Sequence, residues 1–582
     1  MNPFEQVRAD VLQAIEACQR AGELPAALEL ERVTVEPPRD PAHGDAATNA
    51  ALVLAKPARR APMELAELVA ARLRACADVE AVEVARPGFV NLRLRDDFWR
   101  AQVKIALTAG RDYGAADLGR GKRVNVEYCS ANPTGPLHVG HGRGTTFGDA
   151  LASLLERTGF AVTREYYIND HGAQVEVLAR SVHHRYLEAM GEAPAAPPEG
   201  WYPAEELIAV AEMIVRSDGD RWLYATEADW LPVFRSRAVA AMLDRIRDDL
   251  AALGVHHDVF TSEAALAADG RIEDTLAQLE RQGLVYEGVL PPPKGKPSAD
   301  WQPRPQLLFR STAFGDDVDR PLKRAGGQWT YLAADLAYHL DKIRRGAEEL
   351  IDVWGADHAG YIKRMQAGVR ALSGDRVALD VKVCQLVNLM DRGQPIKMSK
   401  RAGRTINLRD VIDEVGKDVV RFIMLTRKND APLDFDLTKV KEQSRDNPVW
   451  YVQYAHARIC SVRRNARAEG FDVDPLKLAD APLERLVEPE ELALIRQMAA
   501  YPRTLEAAAV HHEPHRIAFF LGDLAASFHA LWNRGNEQPG LRFLRPDEPE
   551  LTRARLALIT AVRTALASGL ELIGVTPVEE LV

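Results

Sequence analysis

The chain has few cysteines, and they form no pattern that would build a covalent or metal-bound framework. No two of the five cysteines form a Cys-x-x-Cys pair. Zinc ribbons and small disulfide scaffolds depend on such closely spaced cysteines. We therefore expect no zinc and no disulfides, and a reducing cytoplasm as the location. The cysteines are Cys18, Cys76, Cys129, Cys384 and Cys460.

Long hydrophobic runs are also missing. No apolar stretch approaches the roughly 18 residues that a membrane-spanning helix needs. The start, Met1 to Gln6, has no basic segment followed by an apolar one, so no secretory signal is expected. We also find no internal repeat and no low-complexity tract. Membrane proteins and repeat proteins are therefore not expected.

The chain also lacks an excess of positive charge. The net charge of −10 argues against a protein that coats nucleic acid non-specifically. A specific RNA partner needs only a local basic face. Arg458, Arg463, Arg464 and Arg467 could form one, and a solvated helix surface is the alternative.

What is present is an ordinary globular composition in a long chain. Hydrophobic residues make up 47% of its 582 residues and charged residues 27%. A chain of this length exceeds one hydrophobic core, so roughly three or four domains are expected. Residues 1 to about 115 predict a small α+β unit, with helical patterns at Gln6–Arg20 and Pro62–Cys76 and a strand at Phe89–Leu94.

A strand–helix–strand unit follows. Val124–Tyr128 predicts a strand, Cys129–His138 a loop, and the next helix begins near Gly140 and ends at Gly159. Val162–Ile168 predicts the next strand, which makes half of a doubly wound parallel sheet. Residues from about 185 to 320 interrupt this sheet. It resumes with strands at Leu350–Trp354 and Val381–Cys384, and beyond about residue 445 the pattern is helical.

Two histidines three positions apart, His138 and His141, stand at the start of the predicted helix. A metal site would need a third ligand, and none is evident nearby. A strand, a Gly/Pro loop and a helix start suit a nucleotide, because the free N–H groups of a helix N-terminus attract phosphate. The remaining alternative is a helix cap with incidental histidines.

A second motif, Lys397-Met398-Ser399-Lys400, lies in a predicted loop. Two lysines in a mobile loop can stabilise a pyrophosphate leaving group. A solvated basic loop is the alternative. Together, the two motifs resemble the signature pair of class I aminoacyl-tRNA synthetases, which lies in the two halves of a Rossmann-like catalytic domain.

Acidic residues between and beside the motifs suit an arginine substrate. A buried guanidinium needs carboxylates in a fork geometry, because an unpaired buried charge is costly. Glu127 and Asn132 precede the first motif, and Tyr331 and Asp335 share one face of a predicted helix. Glu127 and Asp335 could converge at the carboxyl edge of the sheet, and surface or capping acids are the alternative.

Longer motifs make the resemblance more specific. The chain resembles the bacterial type of arginyl-tRNA synthetase over essentially its whole length, including the N-terminal domain peculiar to that family. The segments that carry the resemblance are His43-Gly44-Asp45, Gly88-Phe89-Val90-Asn91, residues 127–133, residues 138–143, Tyr167 to Gln174, Phe314 to Asp317, Gly355-Ala356-Asp357-His358 and residues 454–459.

The resemblance implies roles for individual residues. It implies catalysis by His138, His141, Lys397 and Lys400. It implies arginine binding by Glu127, Ser130, Asn132, Tyr331 and Asp335. It implies ATP binding by His138, Gly140, His141, Gly355, Asp357, His358, Lys397, Met398, Ser399 and Lys400. For the signature residues Asn169, Asp170 and Gln174, substrate contact and a structural role both stay open.

The implied fold is multidomain α/β. A Rossmann-like parallel-sheet catalytic domain would occupy residues 116–185 and 320–445, with a connective insertion at 186–319. An α+β N-terminal domain at 1–115 would contact the tRNA D-loop, and an all-α domain at 446–582 would bind the anticodon. The protein would act as a cytoplasmic monomer and make no membrane contact.

The implied reaction has two steps. L-arginine would react with Mg²⁺-bound ATP to give arginyl-adenylate, and the arginyl group would then pass to the 3′ end of tRNA(Arg). No protein-bound metal is expected, and arginine activation would need bound tRNA. The alternatives are a class I synthetase for another amino acid, a small-molecule nucleotidylyltransferase and a non-catalytic tRNA-binding paralogue.

Overall fold

The computed structural model describes residues 2–202, 206–290, 304–324, 326–396 and 406–581. They form two compact units. One joins Met1–Leu118 to Gln443–Val582, and the other is Gly119–Glu442.

The N-terminal part of the first unit is α+β, as predicted from the sequence. Its four strands form one antiparallel sheet in the order β1-β2-β4-β3. The Asn2 side chain caps the first helix by accepting a hydrogen bond from the N–H of Phe4. The elements are α1 (Pro3–Arg20), β1 (Val35–Glu36), β2 (Ala46–Thr48), α2 (Ala50–Ala58), α3 (Pro62–Leu73), β3 (Val79–Ala85), β4 (Phe89–Leu94) and α4 (Asp96–Ala109).

The second unit holds a five-stranded parallel sheet with neighbouring helices. Its elements are β5 (Arg123–Glu127), α5 (Val139–Arg157), β6 (Ala161–Ile168), α6 (Ala173–Ala189), α7 (Glu206–Asp218), α8 (Glu227–Leu253), β7 (Val259–Ser262), α9 (Glu263–Ala268), α10 (Arg271–Arg281), β8 (Val285–Gly288), β9 (Gln306–Phe309), β10 (Arg320–Pro321), α11 (Tyr331–Arg344), β11 (Glu349–Gly355), α12 (Ile362–Ser373), β12 (Ala378–Cys384), β13 (Val387–Asp391), β14 (Gln394–Pro395), α13 (Leu408–Val415), α14 (Lys417–Met424) and β15 (Leu433–Asp436).

The strand order of the parallel sheet is β12-β11-β5-β6-β7. Its register pairs Glu127 with Asp352 on one side and with Glu165 on the other. The four strands predicted from the sequence are all present. The fifth, β7, comes from residues 186–319, which the sequence analysis assigned to a connective insertion. That range therefore supplies the edge strand beside β6.

Close helix packing fixes the first βα connection. Helix α5 ends at Arg157, and two residues later Gly159 adopts a positive φ of 89° that few other residues tolerate. At Gly148, a Cβ atom would lie 2.3 Å from the side chain of Tyr128. Glycine therefore lets α5 press directly on the residue that follows β5.

The C-terminal part of the first unit is helical, as predicted. Helix α4 packs against two of its helices, α17 and α20. The buried ring of Tyr113 lies 5.8 Å from that of Tyr501, so the N-terminal and C-terminal parts share a core. The helices are α15 (Pro448–Ala468), α16 (Pro475–Leu478), α17 (Pro489–Ala499), α18 (Tyr501–His511), α19 (His515–Glu537) and α20 (Pro549–Leu572).

Among the described helices, none combines the length and the hydropathy that a bilayer crossing requires.

Candidate active site

The predicted site residues that the structure describes lie at the carboxyl edge of the parallel sheet, where β5, β6 and β11 end. Immediately after β5, Cys129 and Ser130 have positive φ values of 71° and 41°. Non-glycine residues rarely hold this conformation, so the turn is locally strained. It directs the Ser130 hydroxyl to donate to Glu127 Oε1 at 3.0 Å and to accept from the N–H of Tyr167 at 3.0 Å.

His138 and His141 form the N-terminal cap of α5. Their rings stack with centroids 3.6 Å apart, and the N–H of His138 donates to His141 Nδ1 at 3.2 Å. Nδ1 must therefore be unprotonated, which leaves Nε2 of a neutral His141 as a donor. At Gly140, a Cβ atom would lie only 3.0 Å from the His138 ring. The motif thus combines imidazoles, a bare backbone and a helix N-terminus that favours anions.

The second motif, Lys397 to Lys400, lies outside the described residues. The chain that follows it does contact the first motif. His138 and Asn407 form an isolated antiparallel bridge.

Gly355, Asp357 and His358 lie at the end of β11, next to β5 in the sheet. All three are exposed. His358 Nε2 lies 3.5 Å from Asp357 Oδ2. A side chain on Gly355 would meet Asp357 Oδ1 at 2.6 Å. This edge is open to a ligand that lies across the strand ends.

Tyr331 and Asp335 lie one turn apart at the start of α11. Tyr331 is exposed, and the Arg324 guanidinium lies over its ring at 5.1 Å. Nearby along the sheet edge, the Asn132 amide donates to Gln174 Oε1 at 2.8 Å. Asp335 is partly buried and accepts a hydrogen bond from the Tyr361 hydroxyl at 2.7 Å.

Asp335 belongs to an acidic cluster that also contains Asp170 and Glu263. Burial raises the pKa of the Asp335 carboxyl. Burial and the neighbouring charges of Asp335 and Asp170 raise the pKa of Glu263 to about 7. Asp170 accepts hydrogen bonds from the Ser262 hydroxyl and the N–H of Ala264. Within the described part of the chain, none of these three acids forms an ion pair with a basic side chain.

Glu263 is not among the residues predicted from the sequence, because it lies within the predicted insertion. A signal was present, since Val259 to Ser262 is a short β-branched and aromatic run and Glu263 follows it directly. An acid immediately after a parallel strand falls at the ligand-binding edge of such a sheet. Glu263 is only 8% exposed.

Glu127 lies in a different environment. Its Oε2 accepts a hydrogen bond from Lys342 Nζ at 2.6 Å, and Lys342 also contacts Asp352 Oδ1 at 3.0 Å. His339 Nε2 lies 2.9 Å from Asp352 Oδ2. Burial opposes the charge of Lys342, but the carboxylates of Asp352 and Glu127 raise its pKa, so it stays protonated. An internal cation thus already neutralises Glu127, and arginine binding by Glu127 stays a prediction.

The described residues contain no group of three or more His, Cys, Asp or Glu side chains arranged to hold a metal ion. The arrangement offers an anion-attracting helix start beside a cluster of acids without a cation. One ligand with phosphates at one end and a cation at the other would satisfy both.

Comparisons with known proteins cover the whole chain. The family model "Arginyl tRNA synthetase N terminal domain" matches residues 5–94. The model "tRNA synthetases class I (R), catalytic domain" matches residues 102–460. The model "DALR anticodon binding domain" matches residues 452–581.

Curated relatives agree with the family models. The chain is 57% identical to the arginine–tRNA ligase of Paracoccus denitrificans over 581 residues, covering 100% of both chains. It is 56% identical to that of Rhodospirillum rubrum, again over 100% of both. The solved arginyl-tRNA synthetase of Thermus thermophilus has the same fold, with a TM-score of 0.74 at 24% identity, covering 99% of this chain and 100% of that one.

Proposed function

Because the chain belongs to the arginyl-tRNA synthetases of class I, we propose that the cation-free acids Asp335 and Glu263 hold the arginine guanidinium. The chain catalyses the ATP-dependent ligation of arginine to tRNA(Arg). Relatives of this activity match the chain from end to end, which removes the other amino-acid specificities and the nucleotidylyltransferase as alternatives.

One observation carries the assignment of the arginine pocket. Glu263 is buried and Asp335 is partly buried, the pKa values of both carboxyls are raised, and neither forms an ion pair with a basic side chain among the described residues. A guanidinium supplies the missing charge and several N–H donors in one plane. Tyr331 and Asn132 border the same sheet edge and would hold the substrate's remaining polar groups. Ser130 lies in the turn after β5, where its hydroxyl bonds to Glu127 and to the N–H of Tyr167, and we keep it as an arginine-binding residue of the proposal.

On the phosphate side, we assign ATP to the start of α5 and the end of β11. His138 and His141 donate to phosphate oxygens as negative charge builds, and Gly140 gives the nucleotide access to the backbone. Gly355, Asp357 and His358 border the nucleoside. Lys397, Met398, Ser399 and Lys400 complete the site as the binding segment for the leaving pyrophosphate. The nucleotide enters as its Mg²⁺ complex, which is a substrate.

The chemistry follows from positioning and electrostatics. An oxygen of the arginine carboxylate attacks the α-phosphorus, and the bond to the β-phosphate oxygen breaks with its electron pair leaving on pyrophosphate. A ribose hydroxyl at the 3′ end of the tRNA then attacks the activated carbonyl and releases AMP. Pre-aligned reactants and donors aimed at the developing charge supply the rate acceleration, and no covalent enzyme intermediate is needed.

We assign anticodon binding to the helices of residues 446–582 and D-loop contact to residues 1–115. A stacked group on α15 and α19 supports the first assignment. The rings of Trp450 and Tyr454 stack at 4.5 Å, and the Arg458 guanidinium covers Tyr454 at 4.1 Å and Trp532 at 4.8 Å. Aromatic and guanidinium planes are what unpaired RNA bases stack on.

Two of the other basic residues singled out from the sequence, Arg463 and Arg464, have local partners. Arg463 donates to the carbonyl of Val473. Arg464 lies 3.3 Å from Glu580 Oε1. Arg458, which lies over the rings of Tyr454 and Trp532, joins the aromatic group that we propose as the stacking surface for RNA. Monomeric assembly and a cytoplasmic location complete the proposal.

The testing experiment is ATP–pyrophosphate exchange with a panel of amino acids, with and without tRNA(Arg). We expect exchange with arginine only, and only when tRNA(Arg) is present. Lysine should fail because its ammonium cannot bridge two carboxylates as a planar fork does. No exchange with arginine plus tRNA(Arg), or equal exchange with lysine, would contradict the proposed pocket. Sedimentation of the purified chain checks the monomer.

A further inference from the structure

The peptide just before the first motif is held on both sides. The carbonyl of Leu137 accepts a hydrogen bond from the N–H of Leu408 at 2.7 Å, and the N–H of Val139 donates to the carbonyl of Ile406 at 3.3 Å. A Cβ atom on Gly142 would lie 2.9 Å from the side chain of Leu408. The first turn of α5 is therefore docked on the chain that directly follows residues 397–405.

On its other side, the N–H of Leu137 donates to Asp249 Oδ2 at 3.0 Å. Asp249 lies near the end of α8, in the range 186–319, and its exposed fraction is 0%. Burial raises the pKa of its carboxyl. Its second oxygen, Oδ1, has no hydrogen-bond partner among the described residues.

Such an arrangement is costly, because a buried carboxylate with one hydrogen bond has lost most of its hydration. A leucine of the same shape would pack there at lower cost. The acid therefore does something that packing alone does not require. Its bond fixes the peptide immediately before His138, the residue that begins α5.

We propose that Asp249 is a positioning residue for the ATP-dependent step, which it serves by fixing the Leu137 peptide and hence His138 and His141. The inference rests on the proposed roles of these two histidines. In this proposal Asp249 itself contacts neither arginine nor ATP. It acts through the backbone, so a neutral acceptor of the same shape preserves its effect.

The test compares Asp249→Asn, which keeps an acceptor oxygen, with Asp249→Leu, which keeps only the shape. Asp248→Leu is the matched control, because Asp248 is the exposed neighbour on the same helix. In tRNA-dependent exchange we expect Asp249→Leu to lower kcat roughly 10- to 100-fold, the effect of leaving the buried N–H of Leu137 without an acceptor. Asp249→Asn and Asp248→Leu should stay within about threefold of the unaltered chain.

A purely structural role predicts a different pattern. It would weaken tRNA binding and lower kcat together, whereas a positioning role leaves the KM for tRNA unchanged. An Asp249→Leu variant with full kcat, or an Asp249→Asn variant as slow as Asp249→Leu, would overturn the proposal. If Asp249→Leu does not fold, Asp249→Ala assayed at low temperature replaces it under the same criteria.

Hydrogen exchange separates this inference from the proposed function. In the full chain without substrates, the first-turn amides of α5 should exchange faster in Asp249→Leu than in Asp249→Asn. Equal rates would overturn the positioning bond whatever the activity. Failure of the unaltered chain in arginine-dependent exchange would instead contradict the proposed function.

Discussion

Two groups of buried acids lie at the same edge of the parallel sheet, and they differ in one respect. Glu127 and Asp352 share the ammonium of Lys342, with contacts of 2.6 and 3.0 Å. Asp335 and Glu263 have hydroxyl or carboxyl neighbours and no ion pair among the described residues. The carboxylates of the first group are paired with Lys342, whereas we propose that those of the second group are paired only when arginine binds.

The difference is the ground on which we propose that the first group is a structural network and the second a binding pocket. Burying a charge without a partner is expensive, and proteins keep such groups where a ligand will compensate them. In the first group, Lys342 and His339 lower the pKa of Asp352 to about 2 against the opposing effect of burial, whereas burial still raises the pKa of Glu127. In the second group, burial raises the pKa of Glu263 to about 7. The resemblance implies one pocket for Glu127 and Asp335, and because their surroundings differ we propose different roles for them.

The largest effect is expected from a substitution in the second group, Asp335 and Glu263. Asp335→Asn removes a charge that the guanidinium needs, so kcat/KM for arginine should fall on the order of 10³-fold. The measurement is tRNA-dependent aminoacylation across arginine concentrations. Asp341→Asn, on the same helix but paired with Arg345, is the control. An Asp335→Asn variant with an arginine KM within twofold of normal would contradict the pocket.

The next largest effect is expected when the first group, Glu127 and Asp352, loses its ammonium partner. Lys342→Met leaves Glu127 and Asp352 buried without their cation, which should destabilise this unit by about 3 kcal/mol. Hydrogen exchange of the β5 and β11 amides checks it, because local opening energies report on one unit of a multidomain chain. The double variant Lys342→Met/Glu127→Gln should recover part of the loss. Equal protection in the single variant and the unaltered chain would show that the network is not structural.

The smallest effect is expected in the pH dependence of the KM for arginine, which distinguishes the two groups through Glu263. Because the pKa of Glu263 is raised to about 7, its carboxyl is neutral at pH 6 and must lose a proton to bind arginine. We expect the KM for arginine to fall as pH rises from 6 to 8. Glu263→Gln should flatten this profile and raise the KM at pH 8 roughly tenfold.

Glu263→Gln, which should weaken arginine binding, should at the same time stabilise the arginine-free protein. A carboxyl whose pKa is raised on folding destabilises the folded state once pH exceeds its unfolded value, and the cost is complete above pH 7. Glu263→Gln should therefore stabilise the arginine-free protein at pH 8 by about 1–2 kcal/mol, and less at pH 5. Thermal unfolding at the two pH values measures this. A variant that is less stable at pH 8 would show that Glu263 is already compensated.

Periodicity and spacing predicted most of the fold. The strands at β5, β6, β11 and β12 were all expected, and so was the helix that His138 begins. Strand β7 was not, because four residues between long helical patterns carry too little periodic signal to be separated from them. Missing β7 also hid Glu263, since its position matters only once that strand joins the sheet edge.

By itself the sequence determined the family, four of the five strands of the parallel sheet and the two motifs that we propose for ATP, because these depend on local pattern and short spacing. Only the tertiary structure decided which acids are free to meet a substrate. Glu127 and Lys342 are 215 positions apart, and no local pattern links them. Asp249 likewise reaches Leu137 across 112 positions. Whether a buried charge is compensated depends on what folding brings within about 3 Å of it, the range of a hydrogen bond.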